Sequence, residues 1–180
     1  MKTLTLLRHA KSTWDDPVAR DFDRPLNPRG RRAARAVGRE MKALGLAFDA
    51  ALASPAVRVG ETLEEVQQVF GPLPVAWEQR IYLASTETLL ELVRGTDEAA
   101  ERLLLVGHNP GLENLALLLT REEDGPLREE VEIKYPTATL AEISLPVERW
   151  ADVAAGAGTL ARFIRPRDLD PGLGPDQDSY

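Results

Sequence analysis

The chain has 180 residues, 43% hydrophobic and 28% charged, a balance that fits a globular fold with a substantial core. Its formal net charge of −7 excludes a nucleic-acid binder held by a broad basic surface, and the lack of cysteine excludes disulfides, thiolate nucleophiles and Cys-based zinc sites. No stretch approaches the roughly 18 apolar residues of a spanning helix and the N-terminus lacks a signal-peptide core, so the expectation is a cytoplasmic protein with no membrane and no nucleic-acid partner.

Thr3 to Leu7 reads as a short strand, followed by a polar, Asp-rich loop from Ser12 to Leu26. Asn27 then caps a helix with Pro28 in its first turn, apolar residues at Ala33, Ala36, Val37, Met41 and Leu44, and Gly45 just past its end. Phe48 to Ala53 is apolar, and Ser54-Pro55 repeats the cap-proline opening for a helix that closes at Gly71. Ser85 or Thr86 opens a helix with Leu89, Leu90 and Val93 on its apolar face. Leu103 to Val106 is the next strand, and Asn109-Pro110 opens a helix carrying Leu112, Leu115, Ala116 and Leu119.

Strand chemistry dominates the last third, in Val131–Ile133, Thr139–Leu145, Trp150–Val153 and Thr159–Ile164, with Gly156 and Gly158 joining the final pair. This order predicts an α/β three-layer sandwich: a mainly parallel central sheet covered by helices on both faces, with antiparallel edge strands near the C-terminus. Residues 1–165 are expected to form one domain. Residues 166–180, rich in Pro, Gly and Asp, are expected to be a mobile tail.

The chain has two histidines, His9 and His108, and each follows the C-terminal end of an apolar predicted strand. Ligands of open α/β sheets bind beyond those ends. Arg8 precedes His9, and Arg58 lies one turn into the helix after Ser54-Pro55; it either faces the same edge or stays on a solvated face beside Glu61 or Glu65. Of the 22 basic residues four are lysines, so most arginines reflect composition and position must single out the special ones. Two guanidiniums and two imidazoles converging make a cage for a tetrahedral anion. A phosphate cage holding two imidazoles points to a phosphohistidine intermediate, one imidazole as nucleophile and the other protonated beside the phosphate. No HxH, HxxxH or DxD spacing surrounds either histidine, so neither a metal nor another cofactor is expected.

The stretches "LLRHAKS", "SPAVRVGETL" and "LLVGHNPGLENLA" resemble the signatures of the histidine phosphatase (phosphoglycerate mutase-like) superfamily. RHAKS in place of RHGET, the short length and "DRPLNPRGRRAA" resemble its SixA-like phosphohistidine phosphatase branch, over roughly residues 1 to 165. The resemblance implies that His9 accepts the phosphoryl group and that Arg8, Arg58, His108 and Asn109 bind it. It offers Glu78 as general acid, with Glu87 as second choice, although SixA-like members lack a clear equivalent and Glu78 is equally read as a surface residue. The substrate it implies is a phosphorylated protein of a phosphorelay or phosphotransferase system, reached through a site left open by short connections. A small phosphorylated substrate, and a non-catalytic phosphate-binding module, are the alternatives. Trp14, Asp15, Asp21, Asp23 and Arg24 rim the site in this reading; Trp14 either touches substrate or packs on the sheet edge. Lys11 either adds positive potential or faces solvent, and Pro136-Thr137 is structural.

Overall fold

Alternation along two apolar runs builds the centre of the sheet. Leu4 and Leu6 of strand β1 (Lys2–Arg8) and Leu103 and Leu105 of strand β4 (Arg102–Gly107) enter one core, while Leu7, Leu104 and Val106 enter the other. The computed structural model describes residues 1–15, 20–121, 123 and 125–174. Strands β2 (Ala50–Ala53), β3 (Val75–Trp77), β5 (Leu140–Leu145) and β6 (Thr159–Ile164) complete a six-stranded sheet in the order β3-β2-β4-β1-β5-β6. The first four in that order run parallel, and β5 and β6 are antiparallel. A bulge interrupts β5 between Glu142 and Ile143.

Helices α1 (Pro28–Ala43) and α2 (Val57–Phe70) cover one face, contributing Val37, Met41, Val59 and Leu63 to its core. Helices α3 (Thr86–Arg94), α4 (Gly111–Leu119) and α5 (Pro126–Ile133) cover the other with Leu89, Leu92, Leu112, Leu115 and Val131. The structure is therefore the expected three-layer α/β sandwich. Asn27 caps α1 by accepting the Gly30 N–H at 2.7 Å, and Ser85 caps α3. No helix among the described residues is long and apolar enough to cross a membrane.

Three expectations are corrected and one strand is added. Val131–Ile133 is the end of α5, because Pro126 opens a helical turn that buries Arg128 and Val131, three residues apart, on one face. Trp150–Val153 is not a strand: Trp150–Asp152 is a 3₁₀ turn whose Trp150 is buried and donates its indole N–H to Ala100 O at 2.7 Å, and β6 pairs with β5 instead. Strand β3 has no strand signal in the sequence, because Pro72 and Pro74 precede only three residues at the sheet edge. The segment from Pro166, expected to be mobile, forms helix α6 (Pro166–Leu169) and a 3₁₀ turn (Pro171–Leu173). Leu173 is buried, Asp170 pairs with Arg32 of α1, and Arg29 donates to Gly174 O. Residues 175–180 lie outside the described residues.

Candidate active site

Parallel register brings the two histidines together. Arg8 lies opposite Gly107, and the His9 N–H donates to Gly107 O at 3.1 Å, so His9 and His108 leave adjacent strands side by side. Their ring centroids are 5.3 Å apart and the planes are inclined by 54°. Gly107 is required here: a Cβ on it would lie 2.8 Å from Cγ2 of Ile81.

His9 is buried, and its Nδ1–H donates to Ala10 O at 2.7 Å, which leaves the lone pair on Nε2. Burial, reinforced by the charges of Arg8 and Arg58, holds its pKa well below the usual histidine value, so the ring is neutral at pH 7. His108 is fixed at both nitrogens. Its Nδ1 lies 3.3 Å from Nη2 of Arg58, which donates, so the proton sits on Nε2 and is donated to Ser54 Oγ at 2.8 Å. Burial, followed by the Arg58 charge, lowers His108 to about 4. Asp21 pulls the other way but does not offset burial and Arg58, so the ring is neutral at pH 7 in this structure; the protonated second imidazole expected from the sequence belongs to the phosphate-bound site.

Arg58 is only 3% exposed and turns away from Glu61 and Glu65, which pair with Arg31 instead. It donates to the main-chain oxygen of Asp21 at 2.7 Å and to its Oδ2 at 3.1 Å. Arg8 donates to Tyr135 O at 2.9 Å, and burial lowers its pKa, though a guanidinium stays ionised at any physiological pH. The Nε–H groups of both arginines are buried without a hydrogen-bond partner. Asn109 lines the same cavity; it donates to Tyr135 O at 2.9 Å and accepts the Glu113 N–H, so it still caps α4 although the helix begins at Gly111.

Several supporting interactions carry no clear signal in the sequence, although Asp21 is read there as a rim residue and Ser54 as a cap. Asp21 is a hub: it accepts from the Tyr82 hydroxyl at 2.6 Å and from Arg24 Nη2 at 2.9 Å as well as from Arg58. Partial burial alone would raise its pKa, but the hydrogen bonds from Tyr82 and Arg24 and the Arg58 charge prevail and hold it at about 2. Thr62 accepts the Ala10 N–H at 2.9 Å and donates to Arg58 O at 2.7 Å, tying the His9 turn to α2. Ser54, read from the sequence as a helix cap, serves His108; Ala56 occupies the cap position.

Arg8, His9, Asp21, Arg58, His108 and Asn109 line a cavity of about 650 Å³ that also takes in Lys11, Trp14, Arg24, Leu83, Lys134, Pro136 and Thr137. Arg24 lies 3.4 Å over the Trp14 ring. Glu78 is not brought to this cavity: its carboxylate is taken by Arg80, two residues on, at 3.0 Å, which lowers its pKa, and Glu87 is exposed in the first turn of α3.

Residues 4–82 match the model of the histidine phosphatase superfamily (branch 1). An "uncharacterized protein" of Mycobacterium tuberculosis is 36% identical over 163 residues, covering 89% of this chain and all of the relative. A solved structure from Agrobacterium tumefaciens, described as "putative phosphohistidine phosphatase SixA", is 29% identical with a TM-score of 0.79, covering 92% of this chain and 98% of that one. A protein histidine phosphatase SixA complexed with tungstate shares the fold, with a TM-score of 0.76 at 22% identity over 93% of this chain and 99% of the other. With both histidines and both arginines of the motifs assembled at one sheet edge, the chain belongs to the histidine phosphatase superfamily, in its SixA-like branch.

Proposed function

We propose that the protein is a metal-independent phosphatase that passes the phosphoryl group through His9 and takes it from phosphohistidine on a partner protein. Family membership supports phosphatase activity, and the state of His9 supports the route. Its Nδ1–H is held by a carbonyl and its pKa is depressed, so Nε2 keeps a lone pair at neutral pH. Arg8 and Arg58 offer fixed positive charge to the equatorial oxygens, and their two buried Nε–H groups lack acceptors, a cost that a bound anion relieves.

In this cycle Nε2 of His9 bonds to phosphorus as the substrate's P–N bond breaks, and the departing imidazole leaves with a proton taken from solvent. Water then attacks phosphorus and the P–Nε2 bond breaks. Phosphate departs, and the water's proton goes to phosphate or solvent. The phosphoryl dianion itself supplies the field that raises His108; the proton goes to Nδ1, which then gives up its hydrogen bond from Arg58, and the cation balances charge on the non-bridging oxygens without protonating the leaving atom.

The preference for P–N over P–O bonds rests on the carboxylates. Asp21, which lines the cavity, stays ionised, and Glu78 is paired with Arg80 outside it. Neither holds a proton at neutral pH, so an alkoxide leaves without acid assistance, whereas a protonated imidazole needs none. The name of the Agrobacterium neighbour points the same way. The test compares hydrolysis of a phosphohistidine carrier protein with that of alkyl phosphates. A kcat/KM at least about a hundredfold higher for the P–N substrate is expected, the scale of a missing general acid. Comparable values would favour a broad phosphomonoesterase, and tight phosphate binding with no turnover would make the protein a binding module.

A further inference from the structure

We infer that the mouth of this cavity is a docking surface for an acidic phosphoprotein, with Trp14 and Leu83 as apolar anchors and Lys134 and Arg167 as charged contacts. This rests on the phosphohistidine reading above. A cavity of about 650 Å³ is far larger than a phosphoryl group needs, so most of it serves whatever carries that group. The chain has a net charge of −7, yet among the described residues that line the cavity Asp21 is the one carboxylate, set among many cations. Lys134, just past α5, and Arg167, in α6, are exposed and stand apart from the His9 cage. Among the described residues neither has a side-chain hydrogen bond or ion pair, whereas the adjacent Arg165 is tied to Asp168 and Glu130. Two exposed cations with no hydrogen bond or close ion pair, one of them feeling only the nearby charge of Asp168, share a cavity with a phosphoryl site on an acidic protein and call for further negative charge near the substrate phosphate.

The apolar residues say what kind of molecule brings it. Trp14 is 75% exposed, with Arg24 against one ring face. Leu83 is 64% exposed and adopts φ 53°, a left-handed conformation that a leucine takes at a cost. Backbone strain that holds a leucine in water at a cavity mouth has a use if a partner covers it. A small compound with two phosphates would use the cations and leave both apolar side chains wet. A protein surface with carboxylates and apolar residues around its phosphohistidine uses all four, and a tryptophan stacked on an arginine, as Trp14 is on Arg24, is the composition of an interface hot spot.

The experiment uses the full chain and three probes: a phosphohistidine peptide flanked by Glu and Leu, the same peptide flanked by Gln and Ser, and phosphoramidate. Wild type should prefer the Glu/Leu peptide over the Gln/Ser peptide by at least about tenfold in kcat/KM, with the advantage falling as salt rises. Lys134→Glu with Arg167→Glu, and separately Leu83→Ser, should remove most of that advantage and leave phosphoramidate hydrolysis within about twofold of wild type. Equal use of both peptides overturns the docking surface alone. A variant that loses phosphoramidate hydrolysis in parallel overturns it too, since those residues then belong to the phosphoryl site, and so does a small bisphosphate preferred over the Glu/Leu peptide. No hydrolysis of any P–N probe by wild type overturns the function on which the surface rests.

Discussion

The floor and the mouth of the cavity are built in opposite ways. On the floor, His9, His108 and Arg58 are buried, and each is held by hydrogen bonds of its own: Ala10 for His9, Ser54 and Arg58 for His108, Asp21 for Arg58. At the mouth, Trp14, Leu83, Lys134 and Arg167 are exposed, and neither Lys134 nor Arg167 is held by a side-chain hydrogen bond among the described residues. Chemistry at phosphorus rewards fixed charge and a fixed tautomer, because reorientation during the reaction costs free energy. Recognition of a macromolecule tolerates adaptable contacts. Substitutions on the floor should therefore strike kcat, and those at the mouth should strike KM for particular substrates.

The largest effect tests the floor. His9→Ala should lower turnover by at least about a thousandfold, as loss of a covalent nucleophile does, while sulfate still binds; unchanged turnover would remove His9 from the mechanism. Arg58→Ala should cost about 3 kcal/mol in kcat/KM on every substrate, the scale of one preorganised donor, and a near-wild-type value would show that Arg58 does not meet the phosphoryl group.

The pH dependence of anion binding sharpens the comparison further. His108 sits at about 4 without an anion, and a dianion beside it raises that value, so binding takes up a proton. Sulfate affinity, measured calorimetrically, should therefore rise as pH falls from 7 to 5, by no more than about tenfold per pH unit for one proton, with a smaller slope in His108→Asn. A flat wild-type profile would mean that His108 stays neutral in the complex. Both histidines also titrate below their unfolded value of 6.5, so the chain should lose stability as pH drops below about 6.5, where the unfolded state takes up the protons first. The smallest effect belongs outside the cavity: Glu78→Gln should leave kcat/KM within about twofold, since it breaks only a surface ion pair with Arg80.

Much of the floor was legible because it follows from strand ends. Arg8 ends β1, His9 and His108 stand just past β1 and β4, and the parallel pairing that brings them together is what strand-helix alternation dictates. Arg58 was legible through its place one turn into a helix that starts at the same edge. The Asp21 hub was not, because its bonds to Arg58 and Tyr82 join residues 37 and 61 positions apart and leave no periodic trace. Ser54 misled for a related reason, since a serine before a proline fits a cap equally well whether or not a histidine claims its hydroxyl. In the fold, β-branched residues in Val131–Ile133 and the aromatic Trp150 imitated strands, and burial of one helical face and of one indole decided otherwise. The C-terminal segment has a loop composition, but Leu173, Asp170 and the Arg29 contact dock it on α1.

The most direct measurement is to stop turnover of phosphoramidate in alkali and map the protein by mass spectrometry. One phosphoryl group is expected on the peptide containing His9, stable in base, lost in acid, and absent from His9→Ala. Turnover with no such adduct, or with the adduct on His108, would contradict that assignment.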